Sequence, residues 1–355
     1  MIKIRYYSNY KEDNRKSMDV VLNYIASNIS KSRNFKVTKF TPSFKNSNKK
    51  ILSKSWQLRH ARYLDYQKQI KGLKNVDISH IIDHQYSHLV HNLNSKKKII
   101  TVHDLIPIIF QKKLKKNPFL VKYSLTHLKF FDKVIAVSDN TKRDILKYTD
   151  CPRNKIVVLK SSVENSFNLK KINQKAICKK YKIPFNTKKI LIVGTSFYKN
   201  HEISLKILDN LKNKLQDKII FIKIGNPFDL NIKDNLKESV YEIKDIPRNK
   251  VNEIYKICDL LLFPSIYEGY GLPCFEAINT GLPIVSSNIK PLKEILSDYP
   301  LMFNPSDHKS MTKSIIKLLN NKKYYIQIKN KLIKRIKIFN EENYFKDLSE
   351  IYKNC

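Results

Sequence analysis

Leu260-Leu261-Leu262-Phe263-Pro264-Ser265-Ile266-Tyr267-Glu268-Gly269-Tyr270-Gly271-Leu272-Pro273-Cys274-Phe275-Glu276-Ala277-Ile278-Asn279-Thr280-Gly281-Leu282-Pro283-Ile284-Val285 is the most informative stretch of the chain. Its first four residues read as a buried strand, which Pro264 ends. Gly269 and Gly271, two of only six glycines in the chain, then build a tight loop with two positions free of Cβ. Pro273 suits the first turn of a helix. Gly281 suits the position that ends it, and Pro283 prevents continuation. The order is strand, glycine loop, helix N-terminus. The free amides of that first turn and the positive end of the helix dipole form an anion site. It stands at the carboxyl end of a parallel strand, where open α/β sheets bind ligands.

The same cycle of apolar run and amphipathic segment extends in both directions. Ile2–Tyr7, Val76–Ile82, Ile99–Val102, Val134–Val137 and Ile156–Leu159 read as strands, with a helix over Ser17–Ile29. Ile190–Val193, Ile219–Ile224, Tyr241–Ile243 and Ile284–Val285 continue the series after residue 187, with a helix near Asn200–Leu215. Strands alternating with helices predict parallel sheets covered on both faces. The expectation is therefore an α/β chain of two Rossmann-like, doubly wound domains, residues 1–165 and 166–335. A lysine-rich tail follows, with a helix over 336–355 packing back on the first domain. Met1–Tyr7 reads as a strand and not a signal peptide. No apolar run approaches the ~20 residues of a membrane span, so the expected location is cytoplasmic.

The 355 residues are 42% hydrophobic, which excludes a disordered chain. The formal charge is +37, a field that attracts anions. Only 9 of the 68 basic residues are Arg, the type best suited to bidentate phosphate and base contacts. The lysines are spread along the whole chain among Ile and Asn, a pattern of general compositional drift. Aromatics interleaved with Arg and Lys on a sheet, or a reading motif, would mark a nucleic-acid binder; neither is found, and no nucleic-acid partner is expected. Five cysteines without Cys-x-x-Cys spacing read as reduced thiols, with no metal cluster implied.

Two carboxylates flank the glycine loop. A carboxylate accepts up to four hydrogen bonds, so Glu268 and Glu276 can each clamp a vicinal diol. The plainer readings are a solvated loop residue for Glu268 and favourable placement near a helix N-terminus for Glu276. Glu268 and Glu276 are separated by seven residues, within Pro-Ser-x-Tyr-Glu-Gly-Tyr-Gly-Leu-Pro. This block resembles the hallmark of retaining, nucleotide-sugar-dependent glycosyltransferases of the GT-B fold, specifically family 4. Ser286–Glu294, Phe303–Asp307, Thr101–Pro107 and Val134–Lys142 resemble further elements of that family, so the similarity covers most of the chain.

The resemblance implies a donor site in a cleft between the two domains and no resident cofactor or metal. It gives Glu268 the hydroxyls of the transferred sugar and Glu276 the ribose diol. The backbone around Gly269, Tyr270, Gly271 and Leu272 would meet sugar and diphosphate. Lys199, which follows Gly194 at a helix start, matches the family's lysine for the departing diphosphate, an electrostatic role that can dominate a barrier. His103 matches a histidine lying over the sugar, in a positioning role; its plain reading is a buried histidine bonded to backbone. Asp83–His88 follows a strand end and is an acceptor-side candidate. The implied substrates are a nucleotide-diphosphate sugar, with GDP-mannose a candidate, and a glycan or lipid-linked acceptor in surface polysaccharide or glycoconjugate synthesis.

The chain departs from the family in three places. Ser8–Arg15, after the first strand, has no glycine. Thr195–Tyr198 lacks the usual Arg before the lysine, so a second cation has to come from elsewhere. Ser161-Ser162-Val163-Glu164 stands where relatives often have Asn-Gly-Val-Asp. Two other functions fit parts of the pattern: a nucleotide-sugar epimerase on the same fold, and a basic nucleic-acid binder. Ile106–Lys122 mixes apolar side chains with five lysines in its second half. It is a candidate for contact with an anionic membrane at its inner face; the plain reading is core residues under a solvated lysine face.

Overall fold

The structure, a computed structural model, describes residues 1–13, 15–44, 53–115, 117–160, 166–215, 218–228, 230–338 and 341–355. By contact density the chain divides into two units, Met1–Lys160 with Glu342–Cys355, and Ser161–Glu341. The sequence placed these boundaries at 165/166 and 335/336; residues 161–165, including the Ser161–Glu164 departure, lie outside the described part.

The first unit holds β1 (Ile2–Tyr7), β2 (Phe35–Phe40), β3 (Val76–Ile81), β4 (Ser95–Val102), β5 (Lys133–Ala136) and β6 (Ile156–Val158). They form a parallel sheet in the order β2-β1-β3-β4-β5-β6. The second unit holds β7 (Lys188–Val193), β8 (Ile219–Ile224), β9 (Val240–Ile243), β10 (Leu260–Phe263), β11 (Ile284–Ser287) and β12 (Met302–Phe303). These are also parallel, in the order β12-β11-β10-β7-β8-β9. The doubly wound expectation holds for both halves.

Two strands escaped the sequence reading. β2, Phe-Lys-Val-Thr-Lys-Phe, is an edge strand whose lysines disguise it, and β12 is only two residues long. β4 also begins four residues before the apolar run, through Ser95-Lys96-Lys97-Lys98. Central strands, covered on both faces, are continuously apolar: all four residues of β10 and all six of β8 are buried. The apparent exception is Lys223 in β8, which is completely buried.

The helix Glu341–Lys353 supplies Tyr344, Leu348 and Tyr352 to the core of the first unit, against Ile4, Ile25 and Phe35. The Tyr352 hydroxyl lies 2.8 Å from that of Tyr6 and 2.7 Å from Nδ1 of His80, whose Nε2 meets Thr101 Oγ1 at 2.9 Å. This buried chain of polar groups fixes the helix in register.

In a doubly wound sheet the strand order reverses at one point, where loops on either side diverge and leave a crevice. In the second unit that point lies between β7 and β10; in the first, between β1 and β3. The glycine loop of the opening stretch follows β10, so the topology places it at a reversal point.

Candidate active site

β7 runs into Gly194, which adopts φ +100°; a Cβ there would stand 2.8 Å from Lys199 Cε. The absent side chain gives the lysine stem its path. After the short turn Phe197–Lys199, Asn200 takes a left-handed conformation, φ 61° and ψ 48°, which Asn tolerates better than most residues. Its Nδ2 donates to the carbonyls of Pro264 at 3.0 Å and Pro305 at 2.9 Å. The amide of Ile266 donates to the Tyr198 carbonyl at 2.8 Å. The loops after β7, β10 and β12 are thereby tied together.

Lys199 Nζ meets Glu268 Oε1 at 2.7 Å, with side chains only 13% and 8% exposed. The ammonium also stands 4.7 Å from the Phe263 ring centre. Burial opposes the charge, but Glu268 outweighs it and raises the lysine above its ordinary range. Lys199 is therefore a cation at neutral pH, held at the mouth of the glycine loop.

Gly271 has φ +101°, and a Cβ would come within 2.6 Å of Leu292 Cδ2. Only glycine fits there without displacement. The helix Leu272–Thr280 starts at this residue and ends at Gly281, φ 67°. Tyr270 is buried and stacked on Phe275, ring centres 4.6 Å apart, so its ring is committed to packing. Glu276 is 4% exposed. Its Oε1 accepts from Arg248 Nη1 and its Oε2 from the Tyr255 hydroxyl, each at 2.5 Å. Both partners lie on the helix Arg248–Ile257, and the Arg248 guanidinium rests 4.6 Å from the Phe167 ring centre. The clamp sets the Glu276 carboxylate and leaves lone pairs for a further donor.

His103 follows β4 in the first unit. Its Nε2 lies 3.0 Å from the Ile82 carbonyl oxygen. A carbonyl only accepts, so Nε2 carries the hydrogen and Nδ1 of the neutral ring is an acceptor. Burial, only partly offset by Asp83 and Asp104, lowers its pKa and favours that neutral form. Asp83 is 1% exposed and is held by Arg15 Nη1 at 2.8 Å, Asn9 Nδ2 at 2.8 Å and the Gln85 amide at 3.0 Å. Burial alone would raise the Asp83 pKa; Arg15 and His84 outweigh it and hold it well below the usual carboxylate range. Asp83 thus ties the glycine-free loop after β1 to the end of β3. Asp104 accepts from the Ile106 amide at 3.0 Å. Among the described residues, no three or more His, Cys, Asp or Glu are grouped to hold a metal ion.

Two family models tile the chain. The model for glycosyltransferase family 4 matches residues 24–166, and the model for glycosyl transferases group 1 matches residues 173–336. The chain belongs to the group 1, family 4 glycosyltransferases. The serotype-specific mannosyltransferase WbdA of Escherichia coli is 25% identical over 249 residues, which are 66% of this chain and 30% of the relative. The chain therefore spans under a third of that relative's length. Sucrose-phosphate synthase from Thermosynechococcus elongatus superposes with a TM-score of 0.78 at 12% identity, covering 100% of this chain and 99% of that one. HepE of Anabaena in complex with UDP and glucose gives 0.75 at 13%, covering 100% of both. The fold is GT-B.

In this family 4 chain the residues singled out from sequence fall into two groups. Gly194, Lys199, Glu268, Gly269, Tyr270 and Gly271 stand on the loops after β7 and β10 of the second unit, Leu272 and Glu276 on the helix Leu272–Thr280, and His103 after β4 in the first. Asn200, Arg248 and Tyr255 escaped the reading. Arg248 carried a signal, as one of nine arginines in a lysine-rich chain opening a helix. Asn200 carried one beside Lys199. Nothing in the sequence pairs Tyr255 with Glu276.

Proposed function

We propose that this family 4 member moves a hexose, with retention of configuration and without a metal, from a nucleotide-diphosphate sugar to a glycan or lipid-linked acceptor. The observation that carries the reading is the Lys199–Glu268 pair at 2.7 Å, beside the N-terminus of the helix Leu272–Thr280. In a sugar nucleotide the transferred sugar and the diphosphate are joined through one oxygen. A group for sugar hydroxyls and a cation for phosphate must then stand side by side, as these two do. Glu276 takes the ribose diol and the helix N-terminus the diphosphate. His103, in the first unit, offers Nδ1 as an acceptor for a hydroxyl. In the step itself the acceptor oxygen bonds to the anomeric carbon as the carbon–oxygen bond to phosphate breaks, and the acceptor proton passes to the departing phosphate oxygen. Lys199 offsets the charge that develops there.

The mannosyltransferase relatives favour mannose, and hence GDP-mannose, for synthesis of a surface polysaccharide. A thermal-shift panel of GDP, UDP and ADP sugars tests this. A donor at 100 times its Kd adds about 2.7 kcal/mol, and GDP-mannose is expected to give the largest shift. Acceptor-dependent product of the donor's own anomeric configuration, undiminished by EDTA, completes the reading. An epimer formed without acceptor would point to the epimerase, and a panel without any shift would remove the donor site.

No helix among the described residues is long and apolar enough to cross a membrane. For contact with a lipid-linked acceptor at the cytoplasmic face of a membrane we propose the surface around Ile106–Lys122. Ile108 and Ile109 pack on the core, as the plain reading held, but Lys112, Lys113, Lys115 and Lys122 are exposed. Phe119 is 73% and Phe130 50% exposed. Lysines near an anionic surface contribute ~1 kcal/mol each. Wild type is expected to sediment with vesicles rich in anionic lipid, and a variant with Lys112, Lys113 and Lys115 changed to Glu to stay in solution. Equal sedimentation of the two would dismiss this surface.

A further inference from the structure

Lysine is almost never fully buried without a partner charge, yet Lys223 is 0% exposed, in a strand that is otherwise entirely apolar. Its ammonium donates to two backbone carbonyls, Gly194 at 2.9 Å and Asn226 at 2.5 Å. Gly194 ends β7 and opens the loop that carries Lys199. Asn226 follows Gly225, which ends β8 with φ +114°. The Phe228 ring centre lies 5.0 Å from the ammonium. A nearby ring, His201, stacks edge-on against Phe228 with ring centres 5.0 Å apart.

A loop that receives a diphosphate has to keep its carbonyl oxygens, which are partial negative charges, away from the ligand. Gly194 is where this matters most, because the Lys199 stem passes where its Cβ would stand and Lys223 binds its carbonyl oxygen. Two lysines thus converge on one glycine, the first 13% exposed and the second not at all.

We infer that Lys223 is a positioning residue for the donor diphosphate: it draws the Gly194 and Asn226 carbonyls into the sheet and holds a fixed positive charge behind the loop of Lys199. The inference rests on the donor-site reading above. Lys223 itself does not touch the ligand. A buried charge of this kind costs stability, so its presence in β8 calls for a return elsewhere, and tighter binding of an anion supplies it. Burial, with only Glu242 of β9 opposing, lowers the Lys223 pKa to about 8. The other charged or titratable groups around Gly194 are Lys199, raised above its ordinary range, and His201, lowered to about 4 by burial first and Lys223 second. Of these three groups, Lys223 alone titrates between pH 7 and 9.

Calorimetric titration of GDP and of guanosine into wild type, Lys223→Met and Lys223→Arg tests the inference. Met keeps the length of the chain and removes the charge, so the fold is expected to survive. GDP should bind Lys223→Met about tenfold more weakly, guanosine should bind the two alike, and Arg should restore most of the loss. In wild type, GDP affinity corrected by the guanosine arm should fall between pH 7 and 9, and in Lys223→Met it should stay level. Equal GDP affinity of folded Lys223→Met and wild type overturns the inference. So does a level wild-type pH profile, which decides the matter even if the Met variant does not fold. Failure of wild type to bind GDP or UDP would instead bring down the donor reading, and this inference with it.

Discussion

Lys199→Ala is expected to lower kcat and kcat/KM together, by about 10²–10³-fold, the range for removing one preorganised group from a developing charge. On the proposed reading the departing diphosphate gains charge as the bond to the sugar breaks, so a cation beside it would stabilise the transition state more than the ground state. The structure sharpens this. Lys199 is mostly buried and already paired with Glu268 at 2.7 Å, so its position is set before any ligand arrives. Glu268 is left without its cation in the variant, and removing one partner of a buried pair destabilises. Activity should therefore be compared below the melting point of each protein, as followed by circular dichroism. Lys199→Arg, which keeps charge but not shape, should recover part of kcat. A variant whose only defect is a higher KM would place Lys199 in uniform donor binding and take it out of leaving-group stabilisation.

The parts of the fold legible in the sequence are those where burial on both faces forces an uninterrupted apolar run. Leu260–Phe263 and Ile219–Ile224 were read to the residue for this reason. β2 and the first half of β4 escaped because they carry lysines, which an edge strand or the exposed end of a strand admits. The site was legible where backbone geometry restricts residue type. Gly271 is required by its positive φ and by Leu292, and Gly281 by the end of a helix. It was illegible where the partner is remote in sequence. Arg248 and Tyr255 reach Glu276 only because their helix packs beside Leu272–Thr280, and Asn200 joins three loops only because β7, β10 and β12 end on the same side of the sheet. Lys223 lies inside the apolar run Ile219–Ile224, and its two carbonyl partners show only in the structure.

Glu276 offers the sharpest separation of binding from folding. Glu276→Ala removes the acceptor for both Arg248 and Tyr255. Tyr255 is buried, while the Arg248 side chain keeps 30% exposure, so the loss of stability belongs at the low end for a broken buried pair, about 3 kcal/mol. That corresponds to a fall in melting temperature of roughly 6–12 °C. Donor affinity should fall as well, because hydrogen bonds to a charged acceptor contribute about 1.5–3 kcal/mol. Glu276→Gln divides the two effects. Its amide oxygen still accepts from Arg248, and its NH₂ donates to the Tyr255 hydroxyl, which accepts as readily as it donates. The clamp then survives and melting should stay near that of wild type. The diol, however, loses the negative charge and one acceptor oxygen, and donor affinity should drop about tenfold. If the Gln variant melts and binds the donor as wild type does, Glu276 serves only to pin the helix Arg248–Ile257, and the ribose must be held by another group.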